Sequence, residues 1–213
     1  MASSLNDPIV SRVLGALHSN ADAVDPPLTS QVGERSDDEM AHVLDHAYMA
    51  IAPDVGRFLY SLVRAARTGT VVEFGTSLGI STIYCAAAVR DRGEGSVITT
   101  ELNPSKVRNA RENFREAGLL DHVELREGDA LKTLRDVSSG VTVLFLDGWK
   151  KLYLPMLQML EPALEPGAIV IADDLDLFPQ LLQPYLAYVR NPANGYVSVT
   201  VPLGDSMELS VRA

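Results

Sequence analysis

From Thr70 onward the chain alternates short apolar runs with stretches of helical spacing, and this alternation restricts the fold more than any other feature. Thr70 to Phe74, Ser96 to Thr100, His122 to Leu125, Val141 to Leu146 and Ala168 to Ala172 read as strands. Small residues from Gly79 to Val89 read as a helix. A second helix starts at Asn103-Pro104, buries Val107, Ala110, Phe114 and Ala117, and closes at Gly118. Its polar face carries Lys106, Arg108, Arg111 and Arg115, read as a solvated face with an RNA-contacting stripe as the sharper alternative. Further helices are expected from Lys151 to Leu164 and around Leu181 to Val189. Tyr196 to Val201 and Met207 to Val211 then pair as a hairpin. Such alternation predicts an α/β fold: a mostly parallel seven-stranded sheet with helices on both faces and a C-terminal antiparallel hairpin. Ligands of such sheets sit outside the carboxyl ends of the strands.

The first sixty-odd residues read as helices that cap the ligand-binding end. Ile9, Val10, Val13, Leu14 and Leu17 recur at helical spacing between Asn6 and His18. Ala23 to Ser30 is expected to be a loop, because Pro26 and Pro27 are unsuited to a helix interior. Ser36 and Glu39 form a capping box for a second helix, and Pro53 opens a third. With 213 residues the chain reads as one domain, residues 1–68 forming the cap and 69–213 the core. It lacks the long apolar run of a membrane span, and its N-terminus lacks the regions of a signal peptide, so a cytoplasmic location without a membrane partner is expected. A net charge of -10 argues against nucleic acid as the main partner. A homodimer is compatible with these features.

Carboxylates collect where these strands end. Leu144-Phe145-Leu146-Asp147-Gly148-Trp149-Lys150 and Ile171-Ala172-Asp173-Asp174 each run from apolar residues into acidic ones. Asp147, Asp173 and Asp174 are hard oxygen donors suited to Mg²⁺, Mn²⁺ or Ca²⁺. Lys150, close by, would feel like-charge repulsion from such a cation, which favours its neutral, basic form. A hard cation beside an amine can deprotonate a hydroxyl. The plain alternatives are a helix cap for Asp173-Asp174 and a surface position for Lys150. At the first strand, Glu73-Phe74-Gly75-Thr76-Ser77-Leu78-Gly79-Ile80-Ser81 makes a glycine turn into a helix, with Glu101 ending the second strand. The glycine spacing differs from the dinucleotide fingerprint. The turn, Glu101 and Gly128-Asp129-Ala130 together point to a nucleoside-type cofactor. His42 and His46 stand four apart near Glu39 and Asp45, a candidate metal pair or part of a substrate-capping helix.

From about residue 45 to the C-terminus the chain resembles the metal-dependent, catechol O-methyltransferase-like group of class I S-adenosylmethionine-dependent methyltransferases. The motifs are Glu73-x-Gly75-x-x-x-Gly79-x-Ser81, Glu101-Leu102-Asn103-Pro104, Asp147-Gly148-Trp149-Lys150 with Tyr153-Leu154-Pro155, Ala172-Asp173-Asp174 and Tyr185 to Arg190. The resemblance implies a Rossmann-like fold. It also implies that Ile51, Glu73, Gly75, Thr76 and Ser77 line the methionine end of S-adenosylmethionine, with Ser81 on its carboxylate. Glu101 would hold the ribose, and Asp129, Ala130 and Trp149 would flank the adenine, with Asp147 beside the cofactor. Asp147, Asp173 and Asp174 would bind the cation, most simply Mg²⁺, and Lys150 would act as general base, with Asp147 also in the catalytic set. Asp174 replaces the family's usual asparagine, and no glutamate matches the one that holds a second phenolic hydroxyl. A small hydroxylated, phenolic acceptor follows. A tRNA hydroxyuridine-type methyltransferase, a nicotinamide oxidoreductase and a non-catalytic binding module are the alternatives.

Overall fold

The computed structural model describes residues 3–29 and 44–213, with side chains from 3–25 and 44–213. The helices are α1 (Pro8–Thr29), α2 (Pro53–Ala65), α3 (Ile80–Arg92), α4 (Pro104–Glu116), α5 (Ala130–Thr133), α6 (Tyr153–Leu160) and α7 (Pro179–Val189). The strands are β1 (Thr70–Phe74), β2 (Ser96–Glu101), β3 (Val123–Glu127), β4 (Val141–Leu146), β5 (Leu164–Ala172), β6 (Tyr196–Val201) and β7 (Met207–Arg212). They form one seven-stranded sheet in the order β3-β2-β1-β4-β5-β7-β6. All neighbours are parallel except β7, which runs antiparallel to both β5 and β6. The strand order reverses direction between β1 and β4, so the crevice for a ligand opens at their carboxyl ends.

Burial explains the strand assignments. Every residue of β4 is buried, as expected of an apolar strand covered by helices on both faces. One core cluster packs α1, α2, α3 and α4 against one face of the sheet, through residues such as Val10, Leu59, Ile83 and Phe114. The other packs α6 and α7 against the opposite face, through Tyr153, Met156, Leu157 and Tyr185. α3 is buried from Ile80 to Val89, and Cys85-Ala86-Ala87-Ala88 keeps it slim enough to lie between α2 and the sheet.

Three expectations need correction. α1 does not give way to a loop at Ala23; it runs through Pro26 and Pro27 to Thr29. Proline's fixed φ is itself helical, so near a helix end the pair removes amide donors without forcing a break. Asp25 also ties this end down, accepting from the Tyr48 and Ala50 amides at 2.6 and 3.1 Å. At the second site, α6 stops at Leu160 and a 3-10 turn over Glu161–Ala163 leads directly into β5 at Leu164. Pro162 cannot donate the amide that would continue the helix. β5 therefore begins earlier than expected; Leu164 pairs with Val141, and regular register resumes at Ile169 and Val143 after Pro166-Gly167. Third, Lys106 is buried rather than solvated, unlike Arg108, Arg111 and Arg115. The helix proposed after Ser36, with Glu39 and His42, lies outside the described residues. His46 is exposed in a 3-10 turn over Leu44–His46.

Candidate active site

The crevice is built where β1 and β4 end side by side. The Asp147 amide donates to the Phe74 carbonyl at 2.9 Å, and the Asp173 amide donates to the Leu146 carbonyl at 3.1 Å. These bonds bring the ends of β1, β4 and β5 into one rim. Gly75 has φ +104, and a Cβ there would stand 2.5 Å from the Asp147 carbonyl oxygen. Only glycine lets the two chain segments approach so closely.

Lys150 stands at the centre of the acidic cluster and is only 9% exposed. Its Nζ lies 2.5 Å from Asp174 Oδ2 and 3.6 Å from Asp147 Oδ1. It also donates to the Tyr153 hydroxyl at 2.7 Å, and that hydroxyl donates to the Asp173 carbonyl at 3.3 Å. The Phe178 ring centroid is 6.0 Å from the ammonium. Asp174 has φ +65, a left-handed turn that aspartate tolerates better than most residues, and its amide donates to Asp173 Oδ1 at 2.9 Å. Burial pushes the Asp147 carboxyl well up; Lys150 opposes this, while Asp174 and Asp173 add to it. Burial and the neighbouring Asp174 push Asp173 up to about 7. Burial, with all three aspartates, likewise raises the Tyr153 phenol.

Three carboxylates against one ammonium leave an excess of negative charge in a buried place. That donor chemistry suits a hard divalent cation. Yet among the described residues no three His, Cys, Asp or Glu side chains converge to enclose an ion. Asp147 and Asp174 both face Lys150.

At the other end of the rim the glycine turn leads into α3. Glu73 is fully buried; its Oε2 accepts from Thr82 and Thr99 hydroxyls, while Oε1 has no hydrogen-bond partner. Burial pushes this carboxyl up. An orphaned acceptor beside the glycine turn fits a ligand that brings its own donor. Thr76 and Ser81 are buried beside it, with Ser81 in the first turn of α3. Ile51, 8% exposed, packs in the core with Val55 and Ile80. Glu101 Oε2 accepts from the Ser77 amide and Oε1 from the Asn103 amide, each at 2.8 Å. A carboxylate has about four acceptor sites, so two remain for a diol. Asp129 caps α5 through the Leu131 amide at 3.0 Å, Ala130 is buried, and Trp149 is half-buried after β4.

One neighbour was not singled out for the site on sequence grounds. Lys106 hides in a charged helix; its one signal is its place in the first turn after the Asn103 cap. Tyr48 belongs to a short segment, Leu44 to Ala50, that is tied to Asp25, Ser77 and Asn103. Ser77 Oγ donates to the Tyr48 carbonyl at 2.7 Å.

A family model for the methyltransferase domain matches residues 72–175. A probable O-methyltransferase of Mycobacterium tuberculosis, Rv1703c, is 32% identical over 186 residues, covering 80% of this chain and 78% of that protein. A catechol O-methyltransferase of Niastella koreensis is 30% identical over 131 residues, 60% of this chain and 58% of its own length. The chain thus spans little more than half the length of that catechol O-methyltransferase and of its counterpart from Mycobacterium tuberculosis, 57% in the second case. Among solved structures, cofactor-bound Rv0187 from MTB superposes with a TM-score of 0.69 at 26% identity, covering 89% of this chain and 95% of that one. TomG from Streptomyces achromogenes, in complex with SAM, has the same fold, with a TM-score of 0.69 at 21% identity, covering 90% and 96%.

Proposed function

This chain belongs to the class I S-adenosylmethionine-dependent O-methyltransferases of the catechol O-methyltransferase-like family, and on that premise we propose that it methylates a hydroxyl of a small phenolic acceptor with the aid of a divalent cation. One observation carries the reading: a buried lysine ammonium among three aspartates, at the strand ends beside the glycine turn. Bound S-adenosylmethionine supplies an electrophilic methyl group. Glu101 has acceptor sites left for the two ribose hydroxyls, and the unpaired Glu73 Oε1 can accept from the cofactor's ammonium. Ser81, at the start of α3, suits its carboxylate. Ile51, Gly75, Thr76 and Ser77 would border its methionine end, and Asp129, Ala130 and Trp149 its adenine.

Asp147, Asp173 and Asp174 would hold the cation, Mg²⁺ being the simplest fit. A cation held there would supply Lewis-acid chemistry, lowering the pKa of a phenol that is ordinarily about 10. Lys150 then takes the acceptor's proton. Phe178, Trp149, Tyr48 and Met49 would wall the acceptor and exclude water, which helps because a cationic donor and an anionic oxygen lose their charges as they react. The test is a panel of mono- and dihydroxylated aromatics offered with labelled S-adenosylmethionine. Label on the oxygen of at least one phenol is expected. A protein that binds the cofactor but labels none of them contradicts the acceptor class.

A further inference from the structure

The segment Leu44 to Ala50 lies across the carboxyl ends of β1 and β2 as a strap. Asp25 holds it from α1 through the Tyr48 and Ala50 amides. Ser77 holds it from the glycine turn through the Tyr48 carbonyl at 2.7 Å, and Asn103 Nδ2 holds it through Asp45 Oδ1 at 2.8 Å. Two of its surroundings are conformationally demanding: Met49 in the strap has φ +49 and Ser77 beneath it φ +46. Non-glycine residues persist there only when their neighbours hold them.

These links meet at Lys106, a lysine 8% exposed and outside the aspartate cluster. Its Nζ donates to Ser77 Oγ at 3.1 Å. The same serine's amide donates to Glu101 Oε2. The Lys106 amide faces Asn103 Oδ1 at 3.3 Å, and the Asn103 amide donates to Glu101 Oε1. Lysine is almost never this buried without partners. Burial pulls its ammonium down, while Glu101, Asp25 and Asp45 hold it up.

We propose that Lys106 is a positioning residue for the cofactor, tying the strap to Ser77 and Glu101 so that a nucleoside held by Glu101 is closed in beneath it. The inference rests on the cofactor reading given above. Ser77, under the Lys106 ammonium, is bonded to Glu101 through its amide and to the strap through its hydroxyl. Removing the ammonium takes a positive charge from beside Glu101 and leaves the Ser77 hydroxyl held by the Tyr48 carbonyl alone.

The experiment is calorimetric titration and stopped-flow binding of S-adenosylhomocysteine to the full chain, with steady-state kinetics alongside. Lys106→Met should raise the Kd roughly ten- to hundred-fold, as expected for loss of a charge-assisted hydrogen bond, chiefly through faster dissociation. The loss should appear in KM for S-adenosylmethionine rather than in kcat. Lys106→Arg, which keeps the charge and a donor, should recover most of the affinity. An unchanged Kd in Lys106→Met overturns the proposal. So does a fall in kcat and melting temperature with no change in KM, the mark of a merely structural role. Where methionine prevents folding, Lys106→Gln gives the same reading, since it keeps a donor without the charge. Failure of the wild-type chain to bind S-adenosylhomocysteine overturns the cofactor reading itself, and this inference with it.

Discussion

Lys150 shows how one side chain acquires chemistry from its surroundings. Its position three residues after Asp147 was readable in the sequence; its 2.5 Å contact with Asp174 was not, because that depends on the left-handed turn after β5. If Lys150 is the base, Lys150→Ala should lower kcat by about 10² to 10⁴. S-adenosylhomocysteine binding should hardly change. Lys150→Arg should fail equally, since guanidinium does not release its proton at usable pH. An arginine variant as active as the wild type would mean that only the positive charge matters. Glu101 offers a second residue-scale test. S-adenosylhomocysteine should raise the melting temperature of the wild type while NAD does not, as a ligand selective for the native state does. Glu101→Ala should lose most of that shift, and an undiminished shift would remove Glu101 from the ribose site.

Among the elements, the junction of β1 with β4 fixes the site most strictly. Gly75→Ala would place a methyl group 2.5 Å from the Asp147 carbonyl oxygen at φ +104. Strain of that kind costs about 2 kcal/mol or more, and it should appear as a lowered denaturant midpoint together with weakened cofactor binding. The far side of the sheet carries a separate device. Glu208 on β7 is fully buried and accepts from Arg190, just after α7, at 2.7 and 2.8 Å, from Ser198 at 2.6 Å and from Thr200 at 2.8 Å. Burial alone would raise this carboxyl; the bonds from Arg190, Ser198 and Thr200 outweigh it and hold the group below its ordinary value. A depressed carboxyl stabilises the fold above its unfolded pKa of about 4.3, and the gain is lost as pH falls through the folded value. Glu208→Gln should therefore cost about 2 kcal/mol near neutrality, which lowers the melting temperature by roughly 4–8 °C in a chain of this size. The gap to wild type should narrow below about pH 4. A gap that stays constant across the acid range would show that Glu208 contributes no charge-dependent stability.

For the molecule as a whole, the parallel sheet, the hairpin and the carboxylate rim were legible because each rests on local pattern: apolar strands, a cap at Asn103-Pro104, a glycine turn at Gly75. The strand ends at Phe74, Glu101 and Leu146 agree with the structure for that reason. What sequence could not show is set by distant contacts. α1 persists through two prolines while Asp25 pins its end to Tyr48 and Ala50. Lys106 turns inward because Ser77 and Glu101 come from other elements to meet it. Likewise, three aspartates on two strands were visible as donors, but not that Lys150 would stand between two of them. The most direct measurement on the whole protein is turnover of a dihydroxylated aromatic with S-adenosylmethionine, before and after chelation. EDTA should abolish methyl transfer, Mg²⁺ or Mn²⁺ should restore it, and Asp173→Ala should be inactive yet still folded and able to bind S-adenosylhomocysteine. Full activity in EDTA would contradict the cation's role, leaving a methyltransferase in which Lys150 and the aspartates act without a cation.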